Sequence, residues 1–226
     1  MHSLFIISLP RCLSSITYAV AQTALGLKAP LWTTSGEILN IDRYLQLPEP
    51  AYDMGIKFTL KERDPERFNA LSEFLDQVAA PSGFAYKDVV QPFIVAEWLR
   101  SHAQYRVLRI KRRLPDVAFS MLERRWFYPS RAASDSMQPT DSLIAGLIRA
   151  DRALDTVPGE HVSFEDLTTD EKTLGVTLAR LYPDVQIPPF YFDDTFSTNR
   201  DRVMQRRNLD QYKQLEQKVM TAIANT

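Results

Sequence analysis

Leu4-Phe-Ile-Ile-Ser-Leu-Pro-Arg-Cys-Leu-Ser-Ser-Ile-Thr17 is the stretch of sequence that decides the fold. Residues 3–8 form a short, continuously apolar and β-branched run ended by Pro10, which is typical of a parallel strand buried on both faces. The serines that follow can cap a helix, and the apolar spacing over residues 15–27 is helical. The stretch therefore predicts a central strand, a tight turn and a helix, in that order.

The rest of the chain continues the alternation of short strands and amphipathic helices. Further strands are predicted at residues 105–110 and 161–164. Helices are predicted at residues 64–79, 89–101, 115–128, 141–154, 169–182 and 209–224. The proline-rich aromatic residues 187–192 are predicted to be irregular. This order favours a three-layer α/β/α fold with a central parallel sheet, and residues 1–226 are expected to form one domain.

Composition and charge exclude several classes of protein. The chain is 45% hydrophobic and 24% charged, as in ordinary soluble globular proteins. It carries 27 basic and 28 acidic residues, so nucleic-acid binding through bulk charge is not expected. A single cysteine excludes an intramolecular disulfide and a zinc site built from several thiolates, and it fits a reducing, cytoplasmic location. No apolar run reaches the roughly 18–20 residues that span a bilayer.

The N-terminus has one feature of a secretory signal, because Ala19-Val20-Ala21 resembles a cleavage site. No Lys or Arg precedes the apolar stretch, however, and Pro10-Arg11 interrupts it after about six residues, where a signal needs roughly 7–15. We therefore do not expect a signal peptide.

The first turn between strand and helix predicts an anion site. A basic side chain, two hydroxyls and the free backbone N–H groups of a helix start point at the same place, and phosphate is their natural occupant. The alternative is a capped helix with a solvent-exposed Arg11. The turn lacks glycine and is not an ATPase P-loop. The candidate binding residues are Arg11, Cys12, Leu13, Ser14, Ser15 and Ile16.

A second constellation follows the strand at residues 105–110. Lys111-Arg112-Arg113 stands at its carboxyl end, and Ser120 comes eight residues after Arg112, on the next helix. Ligands of open α/β sheets sit at that edge, and an arginine fork with a serine hydroxyl suits a terminal phosphate. The alternatives are a solvated basic turn or a nucleic-acid patch.

Together these segments resemble the sulfotransferases that use 3′-phosphoadenosine 5′-phosphosulfate (PAPS). In that superfamily Pro-Arg/Lys-Ser-Gly-Ser/Thr-Thr holds the 5′-phosphosulfate, and Arg-Asp-Pro-Arg-Asp-Val-Ala-x-Ser holds the 3′-phosphate. Residues 10–15 match the first motif in order and place, while Arg112 and Ser120 fall on the Arg and Ser of the second. Phe164-Glu-Asp-Leu167 is similar to the family's Tyr-Glu-Asp-Leu, and Lys87-Asp88 is similar to a Lys-Asp/Thr-Pro stretch.

The resemblance implies a P-loop-NTPase-like sulfotransferase fold. It also implies an enzyme that moves a sulfuryl group from PAPS to a hydroxyl of a carbohydrate or small-molecule acceptor. Arg11 would neutralise charge developing on the leaving 5′-phosphate, and no metal would be required. Gly36-Glu37-Ile-Leu-Asn40 resembles the Gly-Glu-x-x-Asn of some bacterial carbohydrate sulfotransferases, whose Glu is proposed as the base. Glu37 is therefore the predicted general base, and a plain surface carboxylate is the alternative.

Two residues of the first motif depart from the family pattern. Leu13 stands where glycine is usual, so either the loop avoids positive φ or its backbone cannot approach the sulfate in the usual way. Cys12 replaces the usual serine, and its place beside Arg11 and a helix start could lower its pKa, whereas a small buried residue is the favoured interpretation.

Two further groups have weaker signals. Arg200, Arg202, Arg206 and Arg207 form a basic cluster near the place where the superfamily often closes a loop over the nucleotide. One of them could contact the 3′-phosphate, although a solvated face is favoured. Trp126, Phe127 and Tyr128 could line an acceptor pocket, and core packing explains them equally well.

Three other functions compete with the sulfotransferase interpretation. A kinase-like phosphotransferase would need nucleoside triphosphate and Mg²⁺, but the P-loop lysine motif is missing. A catalytically inactive module that binds a nucleotide or partner protein is favoured by Leu13. A nucleic-acid binder through residues 111–113 is disfavoured by the net charge. The acceptor and the oligomeric state are not predicted.

Overall fold

A four-stranded parallel sheet organises the protein. The computed structural model describes residues 1–31, 33, 36–40, 58–127, 138–188 and 194–226. Within them the strands are β1 (Leu4–Ser8), β2 (Ala85–Asp88), β3 (Arg106–Lys111) and β4 (Glu160–Ser163). The helices there are α1 (Ser14–Ala24), α2 (Pro65–Val78), α3 (Pro92–Arg100), α4 (Leu114–Leu122), α5 (Pro139–Asp155), α6 (Phe164–Thr169), α7 (Thr173–Leu181), α8 (Asp194–Arg207) and α9 (Asp210–Ala224).

The strand order is β2-β1-β3-β4, and all three pairings are parallel. Leu4 lies opposite both Ala85 and Arg106, so the strands end near one another at their carboxyl edge. All five residues of β1 are buried. The predicted α/β fold with a central parallel sheet is therefore confirmed, with β1 in its interior.

Helices cover both faces of the sheet. Phe5 packs against Tyr86, Trp98 of α3 and Tyr105, with ring centroids 4.9, 5.6 and 5.1 Å away. Neighbouring strand residues point to opposite faces. Lys87, which follows Tyr86, accordingly reaches Ser15 of α1 on the other face. None of the described helices is long and apolar enough to cross a membrane.

Several predicted boundaries differ from the structure. The helix expected over residues 169–182 begins only at Thr173, as α7, because α6 ends at Thr169 and Asp170 has an extended backbone. β2 and α8 were not predicted at all, because β2 ends on two charged residues and α8 buries only Phe196 and Val203. Trp32, Thr34, Ser35, Tyr128 and residues 189–192 lie outside the described part of the chain.

The helix predicted over residues 115–128 ends earlier, at Leu122, because the chain turns back at Arg125. Arg125 has φ 56°, its N–H donates to the carbonyl of Leu122, and the N–H of Trp126 donates to that of Met121, at 2.9 and 3.0 Å. This is a Schellman motif with a non-glycine residue at its left-handed position. The turn brings Trp126 back toward the sheet edge.

We expect Arg125→Gly to raise the free energy of unfolding by about 0.5 kcal/mol, since relief of about 1–2 kcal/mol of left-handed strain exceeds the entropic cost of glycine. Chemical denaturation measures the change. Arg124→Gly is the matched control, because Arg124 is equally exposed and does not have positive φ, so it should destabilise. Equal destabilisation by both variants would contradict the assignment of strain to Arg125.

Candidate anion-binding and catalytic site

A cavity of about 270 Å³ opens at the carboxyl edge of the sheet, where the chain leaves β1 and β3. β1 pairs with β2 on one side and with β3 on the other. β2 and β3 therefore flank the point where ligands bind in open α/β sheets. All eight predicted cofactor-binding residues line this cavity, although they come from two distant parts of the sequence. The lining residues are Arg11, Cys12, Leu13, Ser14, Ser15, Ile16, Arg112, Ser120, Thr195, Asn199, Arg202, Val203 and Arg206.

The first wall is the turn between β1 and α1. Leu13 adopts a left-handed conformation, with φ 64° and ψ 17°, directly before the helix. No side chain among the described residues caps α1, so the N–H groups of its first turn keep no intrahelical acceptor. A left-handed residue followed by a helix turns successive N–H groups toward one point, which is an anion-binding nest.

Of the two alternatives for the loop, avoidance of positive φ does not hold, because both Arg11 and Leu13 have positive φ. Leucine pays roughly 1–2 kcal/mol for a conformation that glycine adopts freely. Leu13 packs partly against the core, which offsets this strain. The turn thus has a backbone conformation that usually requires glycine, although it contains none.

Cys12 is a buried thiol within this turn. Its Sγ donates to the carbonyl oxygen of Pro10 at 3.6 Å, and only 1% of the residue is exposed. Burial raises the pKa of Cys12 to about 12, even though Arg112 acts in the opposite direction. The idea that the anion site lowers this pKa is therefore wrong, and the thiol stays neutral.

The second wall joins the two predicted motifs directly. Arg11 Nε donates to Ser120 Oγ at 3.2 Å, and Arg112 Nη1 donates to the carbonyl oxygen of Arg11. The Arg112 guanidinium lies 4.3 Å from the ring centroid of Phe164, and its Nε is buried without a hydrogen-bond partner. Burial lowers the pKa of Arg112. An unpaired buried donor of this kind fits a ligand anion.

The third wall is α8. Arg202 and Arg206 line the cavity, and Arg206 also pairs with Glu123 at 2.5 Å. The positive charge of Arg206 lowers the pKa of Arg112, after the larger effect of burial, so like charges face one another there. Arg200 does not line the cavity, and Arg207 bonds Asp116. Arg202 is exposed and Arg206 half-buried, so of the predicted cluster these two are placed to meet a ligand in the cavity.

Glu37 does not line the cavity but is connected to it through Lys87. The side chain of Lys87 is fully buried, and its Nζ donates to Glu37 Oε1 at 2.9 Å and to Ser15 Oγ at 2.8 Å. Glu37 keeps 24% of its side chain exposed and also accepts from Asn40 at 3.3 Å. A buried ammonium thus links a reachable carboxylate to the hydroxyl of the anion turn.

The backbone around Gly36 fixes this carboxylate. Lys87 N–H donates to Gly36 and Ile38 N–H donates to Lys87, at 2.7 and 3.0 Å, so the segment joins the edge of β2. Gly36 has φ 73°, and a Cβ there would lie 2.3 Å from the ring of Tyr18. Only glycine fits the position, which makes it part of the Glu37 support.

Asp88, next to Lys87, is a buried carboxyl on the opposite face of β2. Its Oδ1 accepts the N–H groups of Val90 and Gln91 at 3.0 and 2.8 Å, in the turn that leads into α3. Its Oδ2 has no hydrogen-bond partner in the described structure. Burial raises the pKa of Asp88 to about 7, and the charge of Glu37 acts in the same direction.

This raised pKa predicts a pH-dependent stability. Between the ordinary value of 3.8 and about 7 the native state holds a proton that the unfolded chain has lost, so stability falls as pH rises. Across this range the free energy of unfolding of the wild type should fall by on the order of 3 kcal/mol relative to that of Asp88→Asn. Denaturant unfolding of both proteins from pH 4 to 8 measures the difference. A difference that stays constant would contradict the prediction.

Trp126, one of the three predicted aromatic residues, contacts Arg11 of the anion turn. Its ring centroid lies 5.5 Å from the guanidinium carbon of Arg11, within cation–π range, and it packs partly against the core. The ring holds Arg11 at the mouth of the cavity. Trp126 is not among the cavity-lining residues, so its contact is with Arg11 and not with the cavity itself.

Sequence reasoning missed the role of Lys87, although it noted the Lys87-Asp88 pair. No local signal pointed to it, because the strand that buries Lys87 was not predicted from the sequence. Among the described residues no group of three or more His, Cys, Asp or Glu side chains is arranged to hold a metal ion.

The protein has a three-layer α/β fold. Comparison with solved structures shows which proteins share this fold. No family model and no curated protein matches the sequence. The sulfotransferase domain from the curacin biosynthetic pathway matches the structure with a TM-score of 0.53 and 16% identity, covering 84% of this chain and 78% of that domain.

A second match is the sulfotransferase domain from the Synechococcus PCC 7002 olefin synthase. Its TM-score is 0.52 at 15% identity, and the alignment covers 95% of this chain and 93% of that domain. The protein therefore has the fold of sulfotransferase domains, as the resemblance implied. At this identity the likeness shows the fold alone.

Proposed function

We propose that residues 1–226 act as one PAPS-dependent sulfotransferase domain that sulfates a hydroxyl of a carbohydrate or small-molecule acceptor. The observation that carries the proposal is the direct contact of the two anion motifs around one cavity. Arg11 and Ser120 are 109 residues apart in sequence and share a hydrogen bond. A nucleotide with phosphates at its 5′ and 3′ positions offers one anion to each motif.

The cavity fits such a ligand in its donor chemistry. The start of α1, whose first-turn N–H groups are uncapped, and Arg112, whose Nε is buried and unpaired, both line it. Among the described residues Arg112 and Arg202 form no ion pair with a carboxylate, so their charges are available to an anion. PAPS supplies an activated sulfuryl group, which leaves its phosphate oxygen and bonds to the acceptor oxygen.

The chain's own residues have three tasks in this mechanism. Arg11 and the N–H groups of residues 14–16 stabilise negative charge on the 5′-phosphate side. Glu37 takes the proton of the acceptor hydroxyl. Lys87 holds the Glu37 carboxylate and the Ser15 hydroxyl at the same point, which orients the base toward the anion turn. Because the single cysteine is buried and free, we place the reaction in a reducing compartment, the cytoplasm.

Isothermal titration tests the nucleotide site. We expect 3′-phosphoadenosine 5′-phosphate to bind with micromolar Kd, while 5′-AMP and ATP with Mg²⁺ bind at least about tenfold more weakly, a difference of about 1.4 kcal/mol. Arg112→Ala should abolish the preference. Arg113→Ala is the matched control, because Arg113 is the next residue and pairs with Glu216 outside the cavity. Preferential ATP binding would instead support the kinase-like alternative.

The catalytically inactive module remains the second candidate, and Leu13 was the residue that favoured it. Its left-handed conformation removes the backbone argument for inactivity. We expect Leu13→Gly to change the affinity for 3′-phosphoadenosine 5′-phosphate by less than about threefold, well under 1 kcal/mol. A gain of a hundredfold or more would show that leucine disables the site, and would favour the inactive module.

A further inference from the structure

Asp116 is a buried carboxylate beside the cavity that the proposed mechanism does not use. It stands in the first turn of α4, four residues after Arg112 and four before Ser120, and 1% of its side chain is exposed. Arg207 donates to it from Nε and Nη2, at 3.1 and 2.5 Å, and the hydroxyl of Tyr212 donates at 2.6 Å. Its partners therefore come from α8 and α9.

The pKa of Asp116 shows whether burial or hydrogen bonding has the larger effect on this carboxyl group. Burial alone would raise it, but the hydrogen bonds from Arg207 and Tyr212 outweigh burial, so the pKa of Asp116 lies below its ordinary value. The same contacts raise the pKa of Arg207. Asp116 is thus a charged group whose hydrogen-bonding capacity is taken up by residues outside the cavity.

Arg112 is the competing partner for this carboxylate. The two residues are close enough for the charge of Asp116 to raise the pKa of Arg112, against the larger effect of burial. Nevertheless Arg112 forms no ion pair with any described residue, and its Nε has no hydrogen-bond partner. A buried arginine and a nearby carboxylate that stay apart need another cation to hold the carboxylate.

We propose that Arg207 is a positioning residue that occupies Asp116 and so keeps Arg112 available for a phosphate group in the cavity. The inference rests on the proposed function for the identity of the ligand. It assigns Arg207 a task distinct from that of Arg202 and Arg206, which line the cavity themselves. Glu165, the second carboxylate on Arg207, accepts from Nη2 at 2.8 Å and is held by the same guanidinium.

Loss of Arg207 should therefore weaken anion binding through Asp116. The carboxylate would keep only the Tyr212 hydroxyl, and it would compete with the ligand for Arg112. Neutralising Asp116 in the same protein removes the competitor. An effect that disappears when a second residue is changed identifies the coupling between the two, and a merely structural role of Arg207 would not produce it.

The experiment is a double-variant cycle read by isothermal titration. The four proteins are wild type, Arg207→Gln, Asp116→Asn and the double variant, each titrated with 3′-phosphoadenosine 5′-phosphate and with inorganic pyrophosphate. We expect Arg207→Gln to raise Kd on the order of tenfold or more, and Asp116→Asn in that background to restore Kd to within about threefold of wild type. Arg180→Ala, which removes an arginine from a surface pair with Glu160, is the control for net charge.

Each outcome separates the inference from the proposed function. If pyrophosphate binds and shows the loss and the rescue while the nucleotide does not bind, the nucleotide proposal fails and the role of Arg207 stands. If Arg207→Gln weakens binding and Asp116→Asn does not restore it, or if Arg207→Gln matches Arg180→Ala, the inference is overturned. If neither the nucleotide nor pyrophosphate binds to wild type, the inference is overturned as well.

Folding of the variants is checked independently. Each protein is compared with wild type by thermal unfolding and near-ultraviolet circular dichroism before titration. Where Arg207→Gln does not fold, Arg207→Lys replaces it, because a lysine keeps the charge but offers no planar fork to the carboxylate. Its smaller loss of affinity should again be restored by Asp116→Asn, and a loss that persists contradicts the proposal.

Discussion

Arg11→Ala should lower kcat for sulfuryl transfer by about two to three orders of magnitude, since it removes a preorganised cation from the developing charge. Arg11 is held at that place by Ser120 Oγ, by Trp126 and by its own left-handed backbone. The measurement is the rate of release of 3′-phosphoadenosine 5′-phosphate from PAPS with an acceptor found by screening. Because a cation that acts mainly in the transition state affects kcat more than ground-state binding, KM for PAPS should change less.

The matched control for Arg11 is Arg124→Ala. Arg124 is an exposed arginine just after α4 and does not line the cavity. It should leave kcat within about twofold of wild type, as is usual for surface substitutions. If Arg11→Ala retains full turnover, the anion turn is not the catalytic centre. If it loses turnover and Arg124→Ala does as well, the loss reflects net charge.

The second large effect is expected at the Glu37–Lys87 pair. Glu37→Gln should lower kcat by about two to four orders of magnitude, because the amide cannot accept the proton of the acceptor. Lys87→Met should lower kcat comparably, since it releases both Glu37 and Ser15. Affinity for 3′-phosphoadenosine 5′-phosphate should be retained in Glu37→Gln, because Glu37 does not line the cavity.

Glu73→Gln is the matched control for the carboxylate, because Glu73 is exposed on α2. It should leave kcat within about twofold of wild type. A Glu37→Gln enzyme with wild-type kcat would show that another group is the base and that the Glu37–Lys87 pair is structural. Lys87→Met is tested for folding first, because the loss of a buried ammonium leaves two hydrogen-bond acceptors without their donor.

The sequence predicted those parts of the fold and site whose signals are local. The apolar run of β1 and the serines after it stand within one short stretch, and the spacing between Arg112 and Ser120 spans one strand end and one helix. Both segments lie where the pattern placed them, around a common cavity. Parallel strands end at one edge, so local motifs at two strand ends are brought together by the sheet itself.

The remainder depends on contacts between distant elements. β2 was not predicted because it ends on the charged residues Lys87 and Asp88, and the partners that allow Lys87 to be buried, Ser15 and Glu37, lie on other segments. α8 buries only two apolar side chains, so its pattern is too weak to predict a helix. The pairing of Arg207 with Asp116 joins residues 91 positions apart and has no local signal.

The conformation of Leu13 shows a limit of reasoning from residue type. Leucine disfavours positive φ, yet the chain adopts it because β1 and α1 fix both ends of the turn. The backbone of the turn is thus set by tertiary packing rather than by local preference.

The cavity walls come from residues 11–16, 112–120 and 195–206, near the beginning, the middle and the end of the chain. No contiguous fragment contains all three. A bound anion would therefore fasten remote regions together, and its binding energy would add to the global unfolding free energy by mass action, by about 2.7 kcal/mol at a hundred times Kd. Occupancy of the cavity would in this way report whether the whole chain, from its first strand to its last helices, has reached the native state.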